Sequence, residues 1–363
     1  MRLAIDASRC TAARVTGTER YAIELIRAII RLNTRHQLAL YFRDAPPPDL
    51  FPVSERVQQR VIPFRRAWTH LRLAAEIWRD RPDMLFVPAH TLPLVFPGRA
   101  AVTVHDLGFR YFPQAHPPKD RLYLDWTTRH SARRAAIILA DSRATAADLA
   151  RFYGTPPDKI RVVYPGVDKP PAGSVEQTRA RYGLPPRYFL FIGTLQPRKN
   201  IARIVQAYRL WRKNHPDDPA ALVLAGARGW LFDPAWVDGV EGVILPGYVD
   251  EADRGALLAE ALALVFPTLY EGFGFPVVEA MHCGTPVIAS DTSSLPELAG
   301  EAGLLVNPLD VTAITRAMGR LSDDDALRDS LRERGYYQAA RFTWDDAGRR
   351  ALAALEEAAL AAG

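Results

Sequence analysis

Short, almost continuously apolar or β-branched runs alternate with longer segments that carry an apolar residue every three or four positions, and the chain of 363 residues does this in two successive series. The first series predicts strands at Arg2–Asp6, Leu38–Phe42, Met84–Val87, Ala101–His105, Ile137–Ala140 and Ile160–Val163. Between the first two, Tyr21, Leu25, Ile29 and Leu32 form the stripe of an amphipathic helix. The second series predicts strands at Tyr188–Gly193, Ala221–Ala225, Gly242–Leu245, Leu262–Phe266, Pro286–Ala289 and Gly303–Val306. Strands apolar along their whole length must be covered on both faces, so these are parallel sheets with helices on either side. The expected class is α/β, with two Rossmann-like doubly wound domains. The Pro/Gly-rich stretch from Pro165 to Pro186 divides them. The predicted organisation is a domain at 1–168, a linker at 169–186, a second domain at 187–343 and a final helix within 344–363.

Composition excludes several classes. With two cysteines, Cys10 and Cys283, there is neither a disulfide framework nor a multi-cysteine zinc site, and the expected compartment is the reducing cytoplasm. No apolar run approaches the roughly 18 residues a bilayer span needs. Met1–Asp6 reads as a strand, not as a leader. Residues 1–186 hold 29 Lys+Arg against 17 Asp+Glu, a net of +12; the remainder, 17 against 24, is −7. A basic first half has a bearing on partners. With no nucleic-acid-binding signature present, an anionic membrane surface or a diphosphate-linked lipid is the preferred reading, and nucleic acid is not expected. Peripheral association at the inner face of the cell membrane follows as an expectation.

In open α/β sheets ligands gather at the carboxyl ends of the strands, and the chemically suggestive residues fall there. After the strand ending at Phe266 comes Glu271-Gly272-Phe273-Gly274-Phe275-Pro276-Val-Val-Glu279. Gly272 and Gly274 let backbone amides approach a ligand. Pro276 suits the first helical position, which places Glu279 in the first turn. Two carboxylates around a helix start can grip vicinal hydroxyls. After the strand ending at Gly193 come Arg198 and Lys199, with Asn200 as expected N-cap. Two adjacent cations suit a diphosphate leaving group, each contact being worth about 4 kcal/mol at 4 Å and an effective dielectric of ~20. His105 ends a strand of the first domain, Gly17 and Thr18 open its first helix, and Gly247, Tyr248 and Val249 form a turn after a strand of the second. Asp323–Asp325 nominally contains the D-x-D of metal-dependent transferases but reads as a helix cap. The histidines show no ligand spacing, and no catalytic metal or other cofactor is expected. A dinucleotide oxidoreductase is excluded by the missing G-x-G-x-x-G fingerprint.

Glu271 and Glu279, with seven residues between them, resemble the E-x7-E motif of glycosyltransferase family 4, and the run from Glu271 to Ser290 is similar to that family's hallmark. The Arg198-Lys199-Asn200 triplet, Val104-His105-Asp106-Leu107 and the nearly full-length match point the same way. Within the family the chain resembles the O-antigen mannosyltransferase B-like branch, through Phe112-Pro-Gln-Ala-His-Pro-Pro118, Pro157-Asp-Lys-Ile160, Gly193–Asn200 and Ala225-Gly-Ala-Arg-Gly-Trp230. The resemblance implies the GT-B fold, two Rossmann-like domains facing a cleft, with the last helix crossing back onto the first domain. It implies a retaining transferase that moves a hexose from a nucleotide-sugar to a glycan or lipid-linked acceptor, with GDP-mannose as donor. A UDP-hexose enzyme and a catalytically silent nucleotide-sugar scaffold are the alternatives. By resemblance Glu271 contacts the transferred sugar and Glu279 the ribose, and the backbone of Gly272–Phe275 holds sugar hydroxyls and phosphate. Arg198 and Lys199 stabilise the departing diphosphate, and His105 sits beside the donor sugar. Gly193 closes the strand before the cations, and Gly247–Val249 meets the base. Family members often carry two glycines where this chain has only Gly17, which weakens the case for close phosphate approach there.

Overall fold

The structure, a computed structural model, describes residues 1–12, 17–115 and 117–360. His116 and residues 361–363, which enter the expectations above, lie outside the described residues. The chain divides into two compact units, Met1–Gly166 with Thr343–Gly363, and Val167–Phe342.

The first unit is a parallel sheet of seven strands: β1 (Arg2–Asp6), β2 (Gln37–Phe42), β3 (Val57–Val61), β4 (Met84–Val87), β5 (Arg99–Val104), β6 (Ile137–Ala140) and β7 (Ile160–Val162). Their order is β3-β2-β1-β4-β5-β6-β7, so the winding reverses between β1 and β4. The two-residue period of a strand divides the apolar runs between two cores. Leu3, Ile5, Met84, Phe86 and Ala101 pack with helices Gly17–Leu32 and Trp344–Leu360. Ala4, Leu85, Val87, Val102 and Val104 pack on the other face with Leu73, Ile77, Ala132 and Leu149. Each such Leu, Ile or Phe contributes about 1.5–3 kcal/mol on burial, which is why both faces are sealed.

The second unit is a parallel six-stranded sheet: β8 (Tyr188–Ile192), β9 (Ala221–Ala225), β10 (Val243–Gly247), β11 (Ala263–Phe266), β12 (Val287–Ser290) and β13 (Gly303–Val306). The order is β10-β9-β8-β11-β12-β13, with its reversal between β8 and β11. Every residue of β8 is buried. Phe189 meets the Trp211 ring at 5.0 Å and Phe191 stacks on Phe266 at 5.7 Å.

Three expectations need correction. β3 was not foreseen, because Val57-Gln-Gln-Arg-Val61 is an edge strand whose middle is polar. Residues 169–186 are not a plain linker. They carry helix Val175–Tyr182, where Ser174 Oγ accepts from the Gln177 amide at 3.3 Å and the left-handed Gly183 follows the last turn, and they group with the second unit. His105 and Gly193 lie one residue beyond their strands, in the loops. Asp324 does cap a helix: its Oδ1 accepts from Leu327 N at 2.8 Å at the start of Asp325–Ala339.

Candidate functional site

In the second unit the two strands flanking the reversal deliver the charged groups. Past β8, Pro197–Lys199 forms one 3-10 turn, which sets Arg198 and Lys199 side by side. Past β11, the loop carries Glu271, 7% exposed. Lys199 Nζ donates to Glu271 Oε1 at 2.6 Å and Arg198 Nη1 to Glu271 Oε2 at 3.1 Å. Arg198 also donates to the Tyr270 carbonyl. Burial pushes the Glu271 carboxyl upward, but Lys199 and then Arg198 outweigh it and hold the group below the ordinary glutamate value. Two cations against one carboxylate leave net positive charge at the strand ends, which suits an anion.

Asn200 occupies the expected cap position, yet its side chain does not cap. It takes a left-handed backbone (φ 63°), and its amide donates to the carbonyls of Pro267 at 2.8 Å and Pro308 at 2.7 Å. The residue ties the cationic turn to the loop after β11, a tertiary use that local cap statistics do not show.

The loop that follows is held from beneath. Ser293 Oγ accepts from the Glu271 amide at 3.1 Å, and the buried Ser294 hydroxyl donates to the carbonyls of Glu271 (3.0 Å) and Phe273. Gly274 has φ +121°, and a Cβ there would come within 2.6 Å of Leu295, so no other residue fits without strain. Phe273 is a core side chain against Phe275 (5.1 Å) and Phe342 (5.7 Å), so only its backbone can serve a ligand. Helix Phe275–His282 begins one residue before Pro276, which moves Glu279 into the second turn, not the first. Glu279, 3% exposed, is paired there with Arg254 Nη2.

The ends of β8, β9 and β10 meet through glycine. The Gly226 amide donates to the Gly247 carbonyl at 2.7 Å, and a Cβ on Gly226 would sit 2.0 Å from the Gly193 carbonyl. Tyr248, next to Gly247, is 65% exposed and so is no lid on the core, whereas Val249 is buried.

In the first unit, Gly17 and Thr18 stand at the start of helix Gly17–Leu32. His105 is anchored on several sides. Its Nδ1 is 2.8 Å from Asp141 Oδ2, its amide donates to His90 Nε2 at 2.9 Å, and its carbonyl accepts from Thr145 Oγ1 at 3.2 Å. The Tyr21 ring meets its ring edge-on at 4.7 Å. Burial opposes the charged imidazole, but the Asp141 carboxylate prevails and raises its pKa above the ordinary value. His90 behaves oppositely: burial, then the neighbouring His105, push it down to about 4.

The structure thus brings Arg198, Lys199 and Glu271 together, puts Gly193 and Gly247 at the ends of β8 and β10 on either side of β9, and sets Glu279 on the following helix. Arg254, Ser293, Ser294, Asp141 and His90 hold these residues and were missed, and Asn200, expected as a helix cap, holds them through two carbonyls instead. For Arg254 the sequence carried no signal. Among the described residues no cluster of three or more His, Cys, Asp or Glu could hold a metal ion, and no helix is long and apolar enough to cross a membrane.

Comparison with known proteins bears on this geometry. Residues 15–169 match the family model described as Glycosyltransferase Family 4, and residues 186–324 the one described as Glycosyl transferases group 1. The O-antigen chain mannosyltransferase B of Escherichia coli is 32% identical over 92% of this chain and 93% of its own. The O-antigen chain mannosyltransferase RfbU of Salmonella typhimurium is 26% identical over 77% of this chain and 74% of its own. Among solved structures, a sucrose-phosphate synthase from Thermosynechococcus elongatus superposes with a TM-score of 0.75 at 21% identity, covering 100% of both chains. The two Rossmann-like units are those of a GT-B glycosyltransferase.

Proposed function

Because the chain belongs to glycosyltransferase family 4, we propose that it is a retaining mannosyltransferase that moves mannose from GDP-mannose to a hydroxyl of a lipid-linked or polysaccharide acceptor. The observation that carries the reading is the Arg198–Lys199–Glu271 cluster at the reversal of the second sheet. Mannose and the glycan acceptor are favoured by the relatives, two of which are O-antigen chain mannosyltransferases.

In this reading Arg198 and Lys199 take up the charge that grows on the diphosphate as the anomeric C–O bond breaks. Fixed charges of this kind lower the barrier because they need no reorganisation as the bond opens. Glu271 and the amides of Gly272–Phe275 position the sugar, Glu279 holds the ribose, and the Gly247–Val249 turn receives the base. For His105, Gly17 and Thr18 the proposed donor role rests on the family resemblance. The acceptor oxygen forms the new bond on the face the diphosphate leaves, and its proton passes to the departing phosphate. The two cations offset part of the diphosphate charge, and the proposed mechanism uses no metal or other cofactor.

In this reading the enzyme works in the cytoplasm, peripherally at the inner face of the cell membrane, with no nucleic-acid partner. Helix Pro118–Arg134 exposes Leu122 (70%), Tyr123 and Trp126 together with Lys119, Arg121 and Arg133. Exposed apolar residues interleaved with cations suit an anionic bilayer surface. Co-sedimentation with liposomes that does not depend on anionic lipid would count against that docking.

A thermal-shift panel with GDP-mannose, GDP, UDP-glucose and UDP tests the donor. A ligand at a hundred times its Kd adds about 2.7 kcal/mol to the folded state. The expected result is a rise of several degrees with the GDP pair alone. A rise with the UDP pair alone would overturn the donor and keep the class.

A further inference from the structure

His105 is anchored through its ring and on both sides of its backbone, and Asp141 is the charged group among its anchors. The ring is gripped at Nδ1 by Asp141, at the end of β6, and flanked by Tyr21 from helix Gly17–Leu32. The backbone is gripped on one side by His90, past β4, and on the other by Thr145 of helix Arg143–Tyr153. Ser142 completes the arrangement by capping that helix, its Oγ accepting from the Thr145 amide at 3.0 Å. Because His90 Nε2 accepts the His105 amide, His90 must be neutral with its proton on Nδ1. Among the described residues three buried atoms of this group make no hydrogen bond, His105 Nε2, His90 Nδ1 and Asp141 Oδ1, and His105 Nε2 is the one on the ring that Asp141 holds.

We propose that Asp141 is a positioning residue of the transfer reaction: by accepting the Nδ1 proton it fixes His105 as an imidazolium whose Nε2–H is offered to an oxygen of the donor. This rests on the transferase reading above. The charge balance explains the need for a carboxylate. A retaining transfer puts positive charge on the sugar, and a lone imidazolium beside it would oppose that charge. The Asp141–His105 pair is neutral as a whole, so the ring can donate a hydrogen bond without adding net charge. The other groups facing the ring act in the same direction or are neutral. Asp106, on the same loop, and the Pro88 carbonyl favour the protonated form, whereas His90 remains neutral and Tyr21 donates towards Thr103 or accepts from it at 3.2 Å.

The test compares wild type with Asp141→Asn and Asp141→Glu in a nucleotide-release assay across pH, alongside imidazole 15N NMR, with His105→Gln used to assign the His105 signals. In wild type, both ring nitrogens of His105 carry protons at neutral pH, and activity falls on the alkaline side as one is lost. In Asp141→Asn that fall moves to lower pH and kcat at neutral pH drops about ten- to a hundredfold, with KM for the donor little changed. Asp141→Glu recovers part of the loss. An alkaline limb unmoved by Asp141→Asn would overturn the proposal. So would a neutral His105 ring with its proton on Nε2, which needs only wild-type protein to observe. If wild type itself transfers no sugar, the transferase reading fails, and the NMR result still decides the state of His105.

Discussion

Lys199 and Glu271, 72 positions apart in the chain, form an ion pair at 2.6 Å that joins the loops after β8 and β11. Arg198 shares the same carboxylate at 3.1 Å. The pair is both the electrostatic centre of the second unit and a structural tie, so its loss has two separable effects.

Lys199→Ala leaves Glu271 with only Arg198. Removing one partner of a buried pair typically costs about 3–5 kcal/mol, and the remaining Arg198 contact places this case at the lower end. On activity, the loss of one charge at the leaving group should lower kcat about a hundredfold or more. Urea melts and steady-state kinetics on the same preparation separate the two. A variant that loses stability but keeps kcat would remove Lys199 from the chemistry.

Acid should weaken the same tie. The folded pKa of Glu271 lies below its ordinary value, so its contribution is present at neutral pH and is lost as pH falls from the ordinary glutamate range through the lowered value. Glu271→Gln, which cannot titrate, should flatten the acid limb of stability against pH. The limb is read from midpoints of denaturation between neutral pH and pH ~3. An unchanged limb would mean the pair contributes little.

How far the sequence could be read depends on the range of the interaction. Buried parallel strands announce themselves, because Tyr188-Phe-Leu-Phe-Ile192 can hardly be anything else. The edge strand Val57–Val61 does not, since its side chains meet water as well as protein. Glu271, Arg198 and Lys199 were legible because a charge just beyond an apolar strand has few other uses. Their supports were not. Asp141 reads locally as part of the helix start that Ser142 actually caps, and only the fold brings it to His105, 36 positions away. Arg254 looks like any solvated helix residue until Glu279 is found against it. Asn200 has the composition of a cap and is used instead to clasp two carbonyls.

Arg254→Leu should expose that dependence. It leaves the Glu279 carboxylate buried without this cation, and a paired buried charge is far cheaper than an unpaired one. Nucleotide affinity should fall about tenfold, while Arg254→Lys retains most of it. Calorimetric titration with GDP checks both. Equal affinity in Arg254→Leu and wild type would show that Glu279 does not need Arg254.

Ser294→Ala removes the hydroxyl that holds the Glu271 and Phe273 carbonyls. A buried acceptor left unsatisfied costs about 1–3 kcal/mol. On the proposed assignment, with the loop amides on the sugar and Glu279 and the Gly247 turn on the nucleotide, kcat should fall while GDP binding stays near wild type. A parallel loss of both would point to general loosening of the unit.

The most direct test of the central claim is transfer itself. The enzyme is incubated with GDP-mannose radiolabelled in the sugar and with membranes carrying lipid-linked glycans, with Lys199→Ala and Glu271→Gln as controls. The account predicts that label enters the lipid or polymer fraction with wild type, is strongly reduced in both variants, and is linked with the anomeric configuration of the donor. Transfer of label with inverted configuration, or wild-type activity in both variants, would contradict it.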